Sequence, residues 1–184
     1  MWKSRDLTLV IITAVVVFVF TVSVFQVAGM ITGILGANYI FTVGMAFLLS
    51  ITCLLFEGRR WRFFLHNTIA ALLTLPTALG GSPYDVFPRL VIILAGFQAD
   101  IILNSFYGSF KKKNRLSWWS MLTGVEFFLV LPFLQILIFP LFFPPQFVAG
   151  FTNVVVIMLP WIIGGAVVGG FLGYKLYKRN LQSI

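Results

Sequence analysis

Between Asp6 and Glu57 the chain runs for 50 residues without a formal charge. A water-soluble fold of 184 residues could not bury that much uninterrupted apolar chain. Another 22 uncharged residues separate Arg62 from Asp85, and residues 116–174 hold Glu126 as their one charge. A helical crossing of a bilayer uses about 20 apolar residues. The first run therefore holds two crossings, the second one and the third two. Residues 86–110, interrupted by Arg89 and Asp100, add a sixth. Hydrophobic residues make up 60% of the chain and charged ones 10%, against about 45–50% and about 25% in soluble domains. The runs are continuous rather than alternating, which excludes a β-barrel. The expectation is an all-α integral membrane protein: one domain of six transmembrane helices near 7–28, 38–56, 63–79, 86–110, 118–139 and 148–174.

Breakers fall between these spans: Gly29, Gly33 and Gly36, then Gly80, Gly81, Ser82 and Pro83, then Pro144 and Pro145. The first apolar run exceeds the 7–15 residues of a signal-peptide core and no small-x-small site follows it convincingly, so it is expected to stay as a helix.

The net charge of +8 is unevenly placed. Lys3 and Arg5 precede the first span, and Arg59, Arg60 and Arg62 separate the second from the third. Lys111, Lys112, Lys113 and Arg115 join the fourth to the fifth, and Lys175, Lys178 and Arg179 follow the sixth. With six crossings all these clusters, 12 of the 13 basic residues, fall on one side. The positive-inside rule makes that side cytoplasmic, with both termini there. Topology accounts for the basic excess, so no nucleic-acid partner is implied. Attraction to anionic headgroups is the expected secondary effect.

Trp2, Trp61, Trp118 and Trp119 adjoin the basic clusters, as interfacial anchors do. Trp161 lies inside the last span, where it either stacks on a flat ligand or packs against neighbours. His66, one turn from Arg62, is expected at the interface. Cys53 is single and cannot form an internal disulfide. With one histidine and five acidic residues, no HExxH helix, P-loop, GxSxG elbow or dinucleotide loop is present. No catalysis, metal or cofactor is expected.

Carboxylates inside a bilayer cost roughly 2.5–3.5 kcal/mol on insertion scales, so each asks for a reason. Asp100 lies about 11 residues before Lys111, or about 16 Å above the loop, and Glu126 about 11 residues after Arg115. The two are expected at one depth near mid-membrane on neighbouring antiparallel helices. Arg89, Gly96, Asp100, Asn104 and Tyr107 share a helix face, and Gln98 points elsewhere. Asn67, Ala71, Thr74 and Ala78 form a small-and-polar face beneath a kink expected at Pro76. These residues either line a ligand cavity or act as interhelical glue. For Asp100 and Glu126 the ligand role is preferred, since glue does not require a carboxylate. Gly165, Gly169 and Gly173 repeat every four residues and leave a bare face for another helix, in this chain or in a partner.

Six helices in this length, cytoplasmic termini and a glycine-rich last helix ending Gly173-Tyr174-Lys175-Leu176-Tyr177-Lys178-Arg179 resemble a substrate-binding S component of an energy-coupling factor (ECF) vitamin transporter. The stretches Thr68-Ile69-Ala70-Ala71-Leu72-Leu73 and Arg89-Leu90-Val91-Ile92-Ile93-Leu94-Ala95-Gly96-Phe97-Gln98-Ala99-Asp100 resemble its thiamine-precursor (hydroxymethylpyrimidine) branch, where an acidic residue matches Asp100. The resemblance implies a subunit of a prokaryotic cell membrane that captures a small vitamin from outside. It would deliver the vitamin through a transmembrane coupling subunit driven by two cytosolic ATPases. Substrate contacts would then come from Asp100, Glu126, Asn104, Asn67, Thr74, Gln98 and Trp161, with the 29–37 connector as a lid. Docking would use Gly165, Gly169, Gly173 and Ala14. Many S components carry Ala-x-x-x-Ala on helix 1, whereas Ala14 is followed here by Phe18, leaving Thr13, Val17 and Thr21 as a substitute face. The competing expectation is a membrane-embedded assembly or scaffold subunit with no solute ligand.

Overall fold

The computed structural model describes residues 2–26, 37–77, 84 and 86–181. The glycine connector expected as a lid and the Gly80–Pro83 breaker lie outside the described residues. Six α-helices carry the fold: α1 (Ser4–Thr21), α2 (Thr42–Phe56), α3 (Arg62–Thr74), α4 (Val86–Lys112), α5 (Leu116–Ile138) and α6 (Pro145–Leu176). No strand occurs among the described residues. The chain is an all-α, multi-pass membrane protein. In hydrocarbon every backbone N–H and C=O must be satisfied within the segment, which leaves these apolar runs no alternative to helix.

Five helices are long and apolar enough to cross a membrane among the described residues; α3 is not one of them. The third expected span is a helix of 13 residues, about 20 Å long against a hydrocarbon core of about 30 Å. It stops at Thr74 instead of kinking at Pro76, because a proline two residues on offers no N–H to continue the ladder.

The helices form a ring in the order α1, α3, α4, α5, α6, with α2 packed against α6 and α5 and closing back toward α1. Burial follows that placement: 56% of the α2 span is buried, against 17% of α1, so α2 is the central helix and α1 faces lipid along most of its surface. Small residues set how closely the helices approach. A Cβ at Gly169 would overlap the carbonyl oxygen of Val43, and one at Gly173 would stand 2.8 Å from the carbonyl oxygen of Phe47. The 165/169/173 face thus meets α2 of the same chain. It is not a free docking surface, and the same holds for Ala14, which is fully buried. Next to it, Ser120 Oγ donates to the Gly170 carbonyl at 2.8 Å and Ser50 Oγ to the Ser120 carbonyl at 3.1 Å. These two hydroxyls join α2, α5 and α6 by the hydrogen bonds that small polar residues supply between membrane helices.

At one end of the bundle the N-terminal segment and the α2–α3 turn are tied together. Asp6 forms a buried ion pair with Arg62 and lies 3.4 Å from the Arg59 guanidinium. Arg62 Nη1 also donates to the carbonyl of Phe56, the last residue of α2. The turn reverses through left-handed Glu57 and Gly58. A Cβ at Gly58 would strike the Tyr107 ring, so glycine is needed there for space as well as for its φ of 66°. His66 is not interfacial. It is fully buried, stacked on Phe63 with centroids 5.8 Å apart and edge-on to Phe56 at 6.0 Å.

Candidate functional site

The shared face on α4 exists, and its partner is α3. Asp100 accepts hydrogen bonds from the backbone N–H of Trp61 at 2.7 Å, Phe63 at 3.0 Å and Phe64 at 3.4 Å. These belong to the N-cap and first turn of α3, whose N–H groups have no partner inside the helix. A carboxylate there also faces the positive end of the helix dipole. The cap residue Trp61 is in the left-handed region at φ 71°, a strained position for a side chain of this bulk, and the Asp100 bond holds its N–H. At the other end of α3, Arg89 Nη2 donates to the carbonyls of Thr74 at 3.0 Å and Thr77 at 2.7 Å. One helix therefore supplies an anion to the N-terminus of α3 and a cation to its C-terminus. Between them Gly96 faces Asn67, where a Cβ would come within 2.5 Å of the Asn67 Cβ.

Asp100 is accordingly satisfied by backbone rather than paired with Glu126. It also sits level with the α2–α3 turn, because that turn lies along α4: Asn104 Nδ2 donates to the Arg59 carbonyl at 3.4 Å and Tyr107 packs on Gly58. α4 continues well past the neighbouring turn, so Asp100 is level with that turn, while Glu126, bonded to Gln98, stands at a similar height on the other side of α4. Glu126 accepts instead from Gln98 Nε2, across the α4–α5 interface and on the face opposite Asp100. Gln98 Oε1 and Glu126 Oε2 are buried without a hydrogen-bond partner among the described residues.

A cavity of about 130 Å³ lies in the half of the bundle away from the basic clusters. Thr21 and Val17 of α1 line it, with Tyr39 of the 3-10 turn before α2, Met45 and Leu49 of α2, Asn67, Ala71 and Thr74 of α3, Ile92 of α4, and Phe127, Phe128 and Gln135 of α5. Of the expected substrate residues, Asn67 and Thr74 line this cavity. Asp100, Glu126, Asn104, Gln98 and Trp161 do not. Thr74 Oγ1 donates to the Ala71 carbonyl at 2.7 Å, and Asn67 Nδ2 donates to the Phe63 carbonyl at 2.9 Å, which leaves the Asn67 carbonyl oxygen to the cavity. Tyr39 and Gln135 were missed. Their phenol donates to the amide oxygen at 3.0 Å, bridging residues 96 positions apart. A glutamine inside a charge-free span was the available signal for one of them. Among the described residues, no formally charged one lines the cavity.

Trp161 is half exposed, and its indole N–H donates to the carbonyls of Tyr39 at 3.2 Å and Ile40 at 3.1 Å. It packs α6 against the 3-10 turn before α2 and offers no stacking face to the cavity. Trp161→Phe should cost about 1 kcal/mol, one shared hydrogen bond, read as a small drop in the melting temperature of the detergent-purified protein. A drop as large as that of a core truncation would contradict this role.

Compared with known proteins, the sequence matches no family model and no curated protein, and the fold matches no solved structure.

Proposed function

We propose that this chain is the substrate-capture subunit of an ECF-type importer in a prokaryotic cell membrane, with its basic end in the cytoplasm and its ligand in the cavity beneath Tyr39. The observation that carries this reading is the cavity itself: lined by five helices, on the side away from the basic clusters, with apolar walls and a few polar groups. Its volume of about 130 Å³ compares with the roughly 150 Å³ of an apolar cavity that accepts benzene. A single ring fits and a two-ring thiamine does not. The described lining residues are uncharged, which suits a neutral ligand, and Asn67, Thr74 and the Tyr39–Gln135 pair would orient its polar edge. A hydroxymethylpyrimidine-like compound meets these terms. The protein would bind and deliver rather than catalyse, with the coupling subunit and two ATPases supplying the energy. Since Ala14 and the glycine face are used within the chain, docking would fall to other surfaces.

Calorimetric titration of the purified protein with hydroxymethylpyrimidine and with thiamine tests the reading. Ala71→Leu should fill the cavity and abolish binding without lowering the melting temperature. Asn67→Ala should weaken binding about tenfold, or about 1.4 kcal/mol. Tighter binding of thiamine would refute the size argument, and binding of neither would remove the substrate assignment. The second reading, a scaffold subunit without a ligand, is favoured by one observation: Asp100, Glu126 and the glycine face all find their partners inside the chain.

The orientation has its own check. Cysteines placed at Ser4 and Lys113, both exposed, should resist a membrane-impermeant thiol reagent in intact cells, and one at exposed Gln146 should label. Cys53 is buried and adds little background. Labelling at position 113 from outside would invert the topology.

A further inference from the structure

On the outer surface of the α4–α5 hairpin, away from the ligand cavity, an apolar groove of about 420 Å³ runs between the two helices. Ile102, Leu103, Phe106 and Phe110 form one wall, and Trp119, Leu122, Val125 and Glu126 the other. From Phe110 to Ile102 the groove is roughly 12 Å long. Its single polar group is at the upper end, where Glu126 holds Gln98. Trp119, expected as an interfacial anchor, is instead buried at the back of the groove, where its indole N–H donates to the Leu103 carbonyl at 3.1 Å.

The foot of this groove opens at the loop carrying Lys111, Lys112, Lys113 and Arg115. The Lys111 ammonium lies over the Tyr107 ring at 5.8 Å. Among the described residues none of these four side chains has an ion-pair partner, and no acidic residue stands between 101 and 125. Trp118, exposed beside them, marks the headgroup layer.

We propose that the α4–α5 groove is a site for one anionic phospholipid of the adjoining leaflet, with an acyl chain against Ile102, Phe106, Phe110 and Leu122 and its phosphate at the Lys111–Arg115 loop. Two features select this occupant over a partner helix. A helix is about 10 Å across and docks closely where small residues line the interface, whereas among the described residues no glycine, alanine or serine lines this groove. A slender chain fills it without that requirement. The four cations of one sign at its foot then choose the headgroup, as basic pockets on the cytoplasmic side of membrane helices do. The lipid would bind the hairpin that carries both Asp100 and Gln98, on the surface opposite α3.

The experiment is native mass spectrometry after equilibration of the full chain in vesicles of equal phosphatidylcholine and phosphatidylglycerol, followed by gentle extraction. One phosphatidylglycerol should remain bound, in at least fivefold excess over phosphatidylcholine. Lys112→Gln/Lys113→Gln should reduce that excess at least threefold. Leu122→Trp, a lipid-facing substitution that fills the groove and leaves the charges and insertion signals intact, should reduce the retained lipid at least fivefold. Leu172→Trp, equally lipid-facing on α6, should leave it unchanged. Equal retention of the two lipids would overturn the proposal. So would full retention in Leu122→Trp, which would reduce the basic loop to a surface attraction, or a dimer mass that displaces the lipid, which would give the groove to a second copy of the chain.

Discussion

Asp100→Ala is expected to destabilise the protein by roughly 4 kcal/mol, lowering the melting temperature by about 10 °C for a chain of this size. The substitution removes the acceptor from three N–H groups at the start of α3, those of Trp61, Phe63 and Phe64. Asp100 is 2% exposed, and its bond to Phe63 is buried while those to Trp61 and Phe64 are part-buried. Each buried donor left without a partner costs about 1–3 kcal/mol, and the strained Trp61 backbone loses its tether. Asp100→Asn keeps one acceptor oxygen and should cost about half as much. Glu126→Gln should be nearly neutral, because Gln98 can still donate to an amide oxygen. Thermal unfolding of the three variants in one detergent orders them. An unchanged melting temperature for Asp100→Ala would show that the carboxylate does not hold α3.

Gly169→Leu should have a still larger effect, on the order of 5 kcal/mol, enough to leave little folded protein. The added Cβ would overlap the Val43 carbonyl oxygen and stand 2.9 Å from both the Phe47 nitrogen and the Ala46 Cβ. Two of these atoms are backbone of the central helix, which cannot swing aside as a side chain would. Gly164→Leu is the internal control: a Cβ there meets nothing within 4 Å, so the change should stay within about 0.5 kcal/mol. The monodisperse fraction on size-exclusion chromatography reads both. Normal yield of Gly169→Leu would mean that α2 and α6 are not in close contact. Normal yield of Gly164→Leu alone is expected, since that side of α6 faces lipid.

The two variants show where reading along one helix stops. The face Arg89, Gly96, Asp100, Asn104 and Tyr107 was legible from the 3.6-residue period, and the structure uses it as a face. What it meets was not legible. A carboxylate in an apolar span looks the same in the chain whether its partner is a ligand or the exposed N–H groups of another helix, 36 to 39 residues away in sequence. Asn67 and Thr74 line the cavity, while Tyr39 and Gln135 were missed because their bond joins elements 96 residues apart. The interval-of-four glycines announced a close helix contact and left open whether the partner was internal.

The sequence by itself determined the medium and the class of fold. Charge-free runs long enough to cross hydrocarbon must be helical, because the backbone there has no water to bond. The clustering of basic residues marked the end of the bundle at which Asp6, Arg59 and Arg62 meet. Tertiary structure alone decided that the third helix is short, that α4 supplies opposite charges to its two ends, and that the cavity lies under Tyr39 and Gln135. Periodicity assigns a residue to a face of its own helix, but depth and partner depend on how far neighbouring helices and turns extend beside it. Those are set by packing among all six helices and are written in no single segment.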